Sequence, residues 1–189
     1  MLIKILFVVA AVVVVLAVTI ATRPSAFRIQ RSVIISAPAR VVFAHLEDFH
    51  RWSEWSPYEK LDPAAQKSYS GPATGPGSAF HYVGKKLGEG RMTVTGVRPN
   101  ELVAVRAEFI KPFAATNQIE FTLTPAPAAR GVRVTWAMSG NNNFVFKAFG
   151  LVVNIDRMLG KEFESGLADL KRVSEQDAAR TEKEVAAIN

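Results

Sequence analysis

Five stretches between residues 78 and 139 most constrain what this chain can become. At 78–83, 90–97, 102–110, 117–124 and 131–139 apolar and polar residues alternate, the period-two pattern of strands with one buried face. The segments between them are short and carry Gly84, Pro99-Asn100 and Pro112, with a last turn predicted over 125–130, so consecutive strands are expected to pair antiparallel. Alternation assigns Phe80, Tyr82, Met92, Val94, Val103, Val105, Ala107, Phe109, Ile119, Phe121, Leu123, Val132, Val134, Trp136 and Met138 to one face. The other face carries His81, Arg91, Thr93, Thr95, Arg106, Glu108, Gln118, Glu120, Thr122, Arg133 and Thr135. A sheet this one-sided needs an apolar cover.

The cover is read further along the chain. Val152, Ile155, Leu159, Phe163, Leu167, Leu170 and Val173 recur at three- and four-residue steps, with Arg157, Lys161, Glu164 and Lys171 opposite them. This spacing predicts one long amphipathic helix over about 144–173. Gly166 falls on its apolar side, where a glycine costs ~1 kcal/mol relative to alanine, so a close approach of sheet or ligand is expected there.

Upstream, Phe27, Ile29, Val33 and Ile35 alternate with Arg28, Gln30, Ser32 and Ile34 as a first strand. Ser36-Ala37-Pro38 ends it and opens a short helix, with Ser36 or Ala37 as the cap and Val41, Val42 and Leu46 facing inward. A second short helix is predicted over 48–55, carrying Phe49, Trp52 and Trp55. Residues 57–77 read as irregular, with turns at Asp62-Pro63, Gly71-Pro72 and Gly75-Pro76-Gly77 around one short strand near 67–70. The expected class is α+β: a curved antiparallel sheet of about seven strands in the order β-α-α-β6-α, wrapped around the C-terminal helix. The expected division is 1–22 as an apolar segment, 23–26 as a linker, 27–173 as the globular domain and 174–189 as a charged tail or helix extension.

Residues 2–22 are apolar except for Lys4, Thr19 and Thr22, and roughly 20 helical residues match a bilayer core of about 30 Å. A single-pass transmembrane anchor is the preferred reading over a cleaved signal peptide, because the apolar stretch is long and no clean small-x-small cleavage site follows. Arg23, Arg28 and Arg31 favour a cytoplasmic domain by the positive-inside rule, but Arg28 and Arg31 also fall in the first strand, which leaves the side open. The formal net charge of +6 comes from Lys and Arg residues scattered singly, without the basic run that nucleic-acid binding needs, so no nucleic-acid partner is expected. The chain has no cysteine, which excludes disulfides, thiol catalysis and thiolate metal sites.

Sequence motifs for chemistry are sparse. His45, His50 and His81 have no metal-ligand spacing and are assigned surface or capping roles, and no metal or cofactor is expected. No nucleophile elbow, phosphate loop or dinucleotide fingerprint is present. Asp48 and Glu54 beside the tryptophans are assigned to capping and salt bridges. What remains is an aromatic and methionine set for the apolar face: Trp55, Phe80, Tyr82, Met92, Phe109, Phe121, Trp136, Met138, Met158 and Phe163. With Ile155 and Leu159 these are the predicted lining of a cavity between sheet and helix, Ile155, Met158, Leu159 and Phe163 forming its floor.

Several local patterns carry a family resemblance. Ile35-Ser36-Ala37-Pro38-Ala39-Arg40-Val41-Val42-Phe43 and Leu46-Glu47-Asp48-Phe49-His50-Arg51-Trp52-Ser53-Glu54-Trp55-Ser56-Pro57 resemble the opening of the SRPBCC (START/Bet v 1-like) superfamily, in its polyketide cyclase/dehydrase branch. Gly75-x-Gly77-Ser78, Phe80-x-Tyr82-x-Gly84, Val134-Thr135-Trp136-x-Met138-x-Gly140 and Phe163-Glu164-x-Gly166-Leu167-x-x-Leu170-Lys171 are similar in order and spacing. Tyr82 stands where a tryptophan is expected in that branch. The resemblance implies a helix-grip fold and a cavity for lipids, hormones, polyketides or other hydrophobic ligands. Two functions follow as expectations: a membrane-anchored module binding a hydrophobic small molecule or lipid, or a polyketide cyclase/dehydratase-like enzyme in which Tyr82 or a cavity carboxylate handles protons. The lack of a catalytic motif favours the first. A chaperone-assisting or quinone-binding role is a weaker third.

Overall fold

The alternating stretches become β3 (Ala79–Gly84), β4 (Gly88–Arg98), β5 (Leu102–Lys111), β6 (Ala115–Ala126) and β7 (Gly131–Asn141), joined by β1 (Ala26–Ile35) and β2 (Gln66–Ser70). The computed structural model describes residues 1–126 and 131–188; most of the turn predicted over 125–130, and Asn189 at the end of the tail, lie outside them. Among the described residues the strands form one antiparallel sheet in the order β1-β7-β6-β5-β4-β3-β2. Register shifts between Glu89 and Gly90 and between Val94 and Gly96 add to the bend of β4. The face assignment holds: Val94, Val103, Val105, Ala107, Phe121, Val134 and Trp136 are buried. On the outer face the hydroxyls of Ser32 and Thr135, directly opposite in the register, lie 2.8 Å apart.

The cover differs from the single helix predicted over 144–173. Asn143 caps a short helix, α4 (Phe144–Phe149), its Oδ1 accepting from the Phe146 amide at 3.0 Å. The chain turns at Gly150, and Asn154 caps a second helix, α5 (Ile155–Ile188), its Oδ1 accepting from the Arg157 amide at 2.9 Å. Two asparagine caps therefore interrupt an apolar pattern that read as continuous. Val152, assigned to the helix stripe, lies in the break and is 83% exposed. Beyond it, Phe163, Leu167, Leu170 and Val173 are buried as their spacing requires.

The helix also runs through the region predicted as a charged tail or helix extension. Ser174 and Ala178 are buried, and Asp177 accepts a hydrogen bond from Arg51 at 2.6 Å, so the packed part of α5 extends past Val173. Between β1 and β2 stand α2 (Ala39–Glu47), a 3₁₀ helix (Phe49–Glu54) and α3 (Pro57–Leu61). Two expectations change here. Pro38, rather than Ser36 or Ala37, occupies the cap position of α2 and makes no side-chain cap bond, while the Ser36 amide donates to Glu175 Oε1 at 2.8 Å. The stretch read as irregular begins with a helix, in which Pro57 occupies the first turn, where its missing N–H is one a helix would leave unbonded anyway.

At the N-terminus α1 (Leu2–Thr22) is exposed throughout except at Ile20. It is long and apolar enough to cross a membrane, and a signal sequence has the same character. Arg28 and Arg31 belong to the fold. Arg28 pairs with Glu120 at 3.3 Å, and Arg31 reaches Asp156 at 3.0 Å and Glu164 at 2.8 Å.

Candidate functional site

A cavity of about 180 Å³ lies between the concave face of the sheet and α5, which reaches it at Phe163. Phe80, Tyr82, Met92, Phe109, Trp136, Met138 and Phe163 line it, all from the predicted set. The other five do not. Trp55 and Phe121 are packed solid, Trp55 meeting Phe121 and Trp136 edge-on at 5.7 Å each. Ile155 and Leu159 rest against the rim of the core, and Met158 is 45% exposed. The predicted floor is thus reduced to Phe163. Because α5 begins only at Ile155, its first turn lies outside the cavity and Met158 points to solvent.

The lining also includes residues absent from the predicted set: Trp52, Ser56, Tyr58, Glu59, Lys67, Lys86, Leu87 and Ile119. Tyr58 and Glu59 arrive on α3, and Ser56-Pro57, a capping residue before proline at the first helical position, was the local signal for that helix. Lys67 Nζ donates to Glu59 Oε2, closing β2 against α3 with a partly buried ion pair. Asp62, just past α3, accepts the amides of Lys86 at 2.7 Å and Leu87 at 3.3 Å, which fixes the β3–β4 hairpin tip that forms one wall. Those amides hold the Asp62 carboxyl below its ordinary value.

Two phenols join Ser56, Lys86 and the Glu59–Lys67 ion pair as the polar groups of the lining. Burial pushes the Tyr82 pKa up to about 12 and raises that of Tyr58, which also feels Glu162 and Tyr82 nearby. Among the described residues neither hydroxyl is hydrogen-bonded to protein. Both are therefore neutral donors held in an apolar wall. Tyr82 owes its place to its cross-strand partner Gly90, where a Cβ would stand 2.4 Å from the phenol oxygen. A tyrosine can lie across β4 only because position 90 lacks a side chain.

The histidines divide between two environments. His50 stacks on Tyr69 and lies 3.1 Å from Asp48, and His81 lies 3.2 Å from Glu89, both near the surface. His45 departs from the expected surface or capping role and is fully buried. Its backbone carbonyl accepts from Trp55 Nε1 at 3.1 Å, its Nε2 lies 3.1 Å from an Arg51 nitrogen, and Glu54 and Asp177 each approach the ring at 3.2 Å. Desolvation first, and Arg51 second, lower its pKa, so the ring is neutral and Arg51 donates to Nε2. This cluster joins α2, the 3₁₀ helix and α5 away from the cavity. Among the described residues no group of His, Asp and Glu stands close enough together to hold a metal ion.

The architecture recurs in solved structures. Protein CV1439 from Chromobacterium violaceum superposes with a TM-score of 0.56 at 15% identity, covering 81% of this chain and 99% of that one. The Aha1 dimer from Colwellia psychrerythraea matches with a TM-score of 0.56 at 17% identity over 79% of this chain and 96% of its own. The di-domain ARO/CYC StfQ from the steffimycin biosynthetic pathway matches at 0.59 and 9% identity, over 82% of this chain and 52% of StfQ. At these identities the likeness is one of fold. No curated protein matches the sequence. The profile described as polyketide cyclase / dehydrase and lipid transport matches residues 26–175, from the start of β1 to α5, and the chain belongs to that family.

Proposed function

We propose that the domain binds a hydrophobic small molecule or lipid between the sheet and α5, and that α1 holds it at a membrane as a single-pass anchor. The observation that carries the reading is a pair of neutral phenols, without a hydrogen-bond partner among the described residues, in a cavity lined mainly by aromatic and aliphatic side chains. Such a pair suits a ligand with an apolar body and one oxygen acceptor, a carbonyl or ester among them. At about 180 Å³ the cavity is smaller than the roughly 300–1,000 Å³ of sites that enclose drug-sized ligands, so it takes a compact molecule or one segment of a longer one. Native mass spectrometry of the full chain, with solvent extraction of the same preparation, tests this. A co-purifying apolar species lost on filling the cavity by Met138→Trp supports it, and a protein that carries none and takes up no added fatty acid or sterol overturns it.

A second reading, a cyclase or dehydratase-like enzyme, draws on the Glu59 carboxylate in the cavity wall. A phenol with a raised pKa is a hydrogen-bond donor and a poor base, so proton abstraction would fall to Glu59, which Lys67 already engages. Turnover of an aromatic polyketide abolished by Glu59→Gln would favour the enzyme; binding without turnover favours the module.

A further inference from the structure

Antiparallel strands give the sheet two ends, and the register gathers several features at one of them. The start of β1, the end of β7, the β3–β4 tip and the β5–β6 tip all lie there. The apolar helix α1 ends at the same place and touches α4: Lys147 Nζ donates to the Ala21 carbonyl and an Arg23 nitrogen donates to the Gly150 carbonyl, both at 3.3 Å. Around this junction Phe113, Phe144, Val145, Phe149, Leu151 and Val152 are exposed. Phe113 meets Phe146 edge-on at 6.0 Å, which joins the β5–β6 tip and α4 into one surface. Arg23, Lys85, Lys86 and Lys147 stand at this end, while Lys111 is taken by Glu89 at 2.7 Å. The turn Arg98-Pro99-Asn100-Glu101, at the opposite end, carries polar and charged side chains.

We infer that this end of the domain docks on the surface of the lipid bilayer that α1 enters, with α4 and the β5–β6 tip seated at headgroup level. The inference rests on the anchor reading of α1. The last turn of α1 is hydrogen-bonded to α4, so the medium around the end of the anchor is also the medium around Phe144, Val145 and Phe149. Exposed aromatic and aliphatic side chains beside Lys85, Lys86 and Lys147, which make no ion pair among the described residues, match an interface with anionic headgroups. The cavity lining reaches the same end through Lys86, Leu87 and Phe109. Docking therefore turns that side of the cavity towards lipid, and an apolar ligand passes between bilayer and cavity without crossing water.

The absence of cysteine makes the test direct. Single variants Val13→Cys, Phe113→Cys, Val152→Cys and Asn100→Cys of the full chain are labelled with a fluorophore. Each is reconstituted into vesicles of equal parts phosphatidylcholine and phosphatidylglycerol, and quenched either by nitroxide-bearing lipid or by aqueous iodide. The expected result is loss of emission to lipid nitroxide at positions 13, 113 and 152, and to iodide alone at 100. Lipid quenching at 13 with iodide quenching alone at 113 and 152 overturns the docking and leaves the anchor standing. No lipid quenching at 13 overturns both. Quenching of 113 and 152 by neither reagent shows the surface covered by a second copy of the chain and overturns the docking.

Discussion

Trp136 of β7 and Phe163 of α5 stack face to face, ring centroids 4.3 Å apart and planes 7° from parallel. Three residues further along α5, Gly166 meets the edge of the same indole: a Cβ there would stand 2.8 Å from Trp136 Cζ3 and 2.8 Å from Pro57 Cδ. The stack and the glycine together set how closely α5 approaches the sheet, and they hold α3 against both.

Gly166→Leu therefore forces α5 away from Trp136 and Pro57. Overpacking of this kind costs about 1–3 kcal/mol. Thermal unfolding of the full chain in detergent should show a clearly lower melting temperature; an unchanged one would show that α5 does not pack as described.

Tyr58→Phe and Tyr82→Phe remove hydroxyls that make no hydrogen bond among the described residues, so each should leave the melting temperature nearly unchanged. If a ligand oxygen accepts from them, each variant weakens its retention by about 0.5–1.5 kcal/mol, the worth of one hydrogen bond. The amount of co-purifying ligand at matched protein concentration reads this out. Full retention in the double variant would remove the phenols from the site.

His45 makes stability depend on pH. Its folded pKa lies below the ordinary 6.5, so the unfolded chain takes the proton more readily. The stability tied to the neutral ring is complete above that value and is lost as the pH falls below it towards the folded pKa. Arg51, Glu54 and Asp177 are the charged groups around the ring, and the lowered Asp177 pKa adds a further loss in more acid solution. Unfolding followed between about pH 7 and 5 should show a decline that His45→Gln flattens. An equal decline in both proteins would assign it to other groups.

Asp177→Ala tests whether the region beyond Val173 belongs to the domain. It removes the acceptor of a 2.6 Å bond from Arg51 and leaves a partly buried guanidinium with less compensation. The expected loss is about 1.5–3 kcal/mol by chemical denaturation. Loss within error would return 174–189 to the status of a tail.

Strand positions, the two faces of the sheet and the buried stripe Phe163, Leu167, Leu170 and Val173 were legible because periods of two and about 3.6 are properties of the backbone itself. Gly166 was legible for a related reason, since a glycine on an apolar helix face needs a neighbour that excludes a side chain. The apolar character of α1 likewise follows from composition alone. Local signals existed for the α4–α5 break, in Asn143 and Asn154, and for α3, in Ser56-Pro57, but the apolar pattern ran across the first and turn residues surrounded the second. What the tertiary structure alone decided is which aromatic side chains border the cavity and which fill the core, that Tyr58 joins Tyr82, and that His45 is buried beneath Arg51. Those outcomes depend on how far the sheet bends and where α3 and α5 come to rest against it. Such distances between elements remote in sequence are set by the packing of whole side chains, and no periodicity along the chain records them.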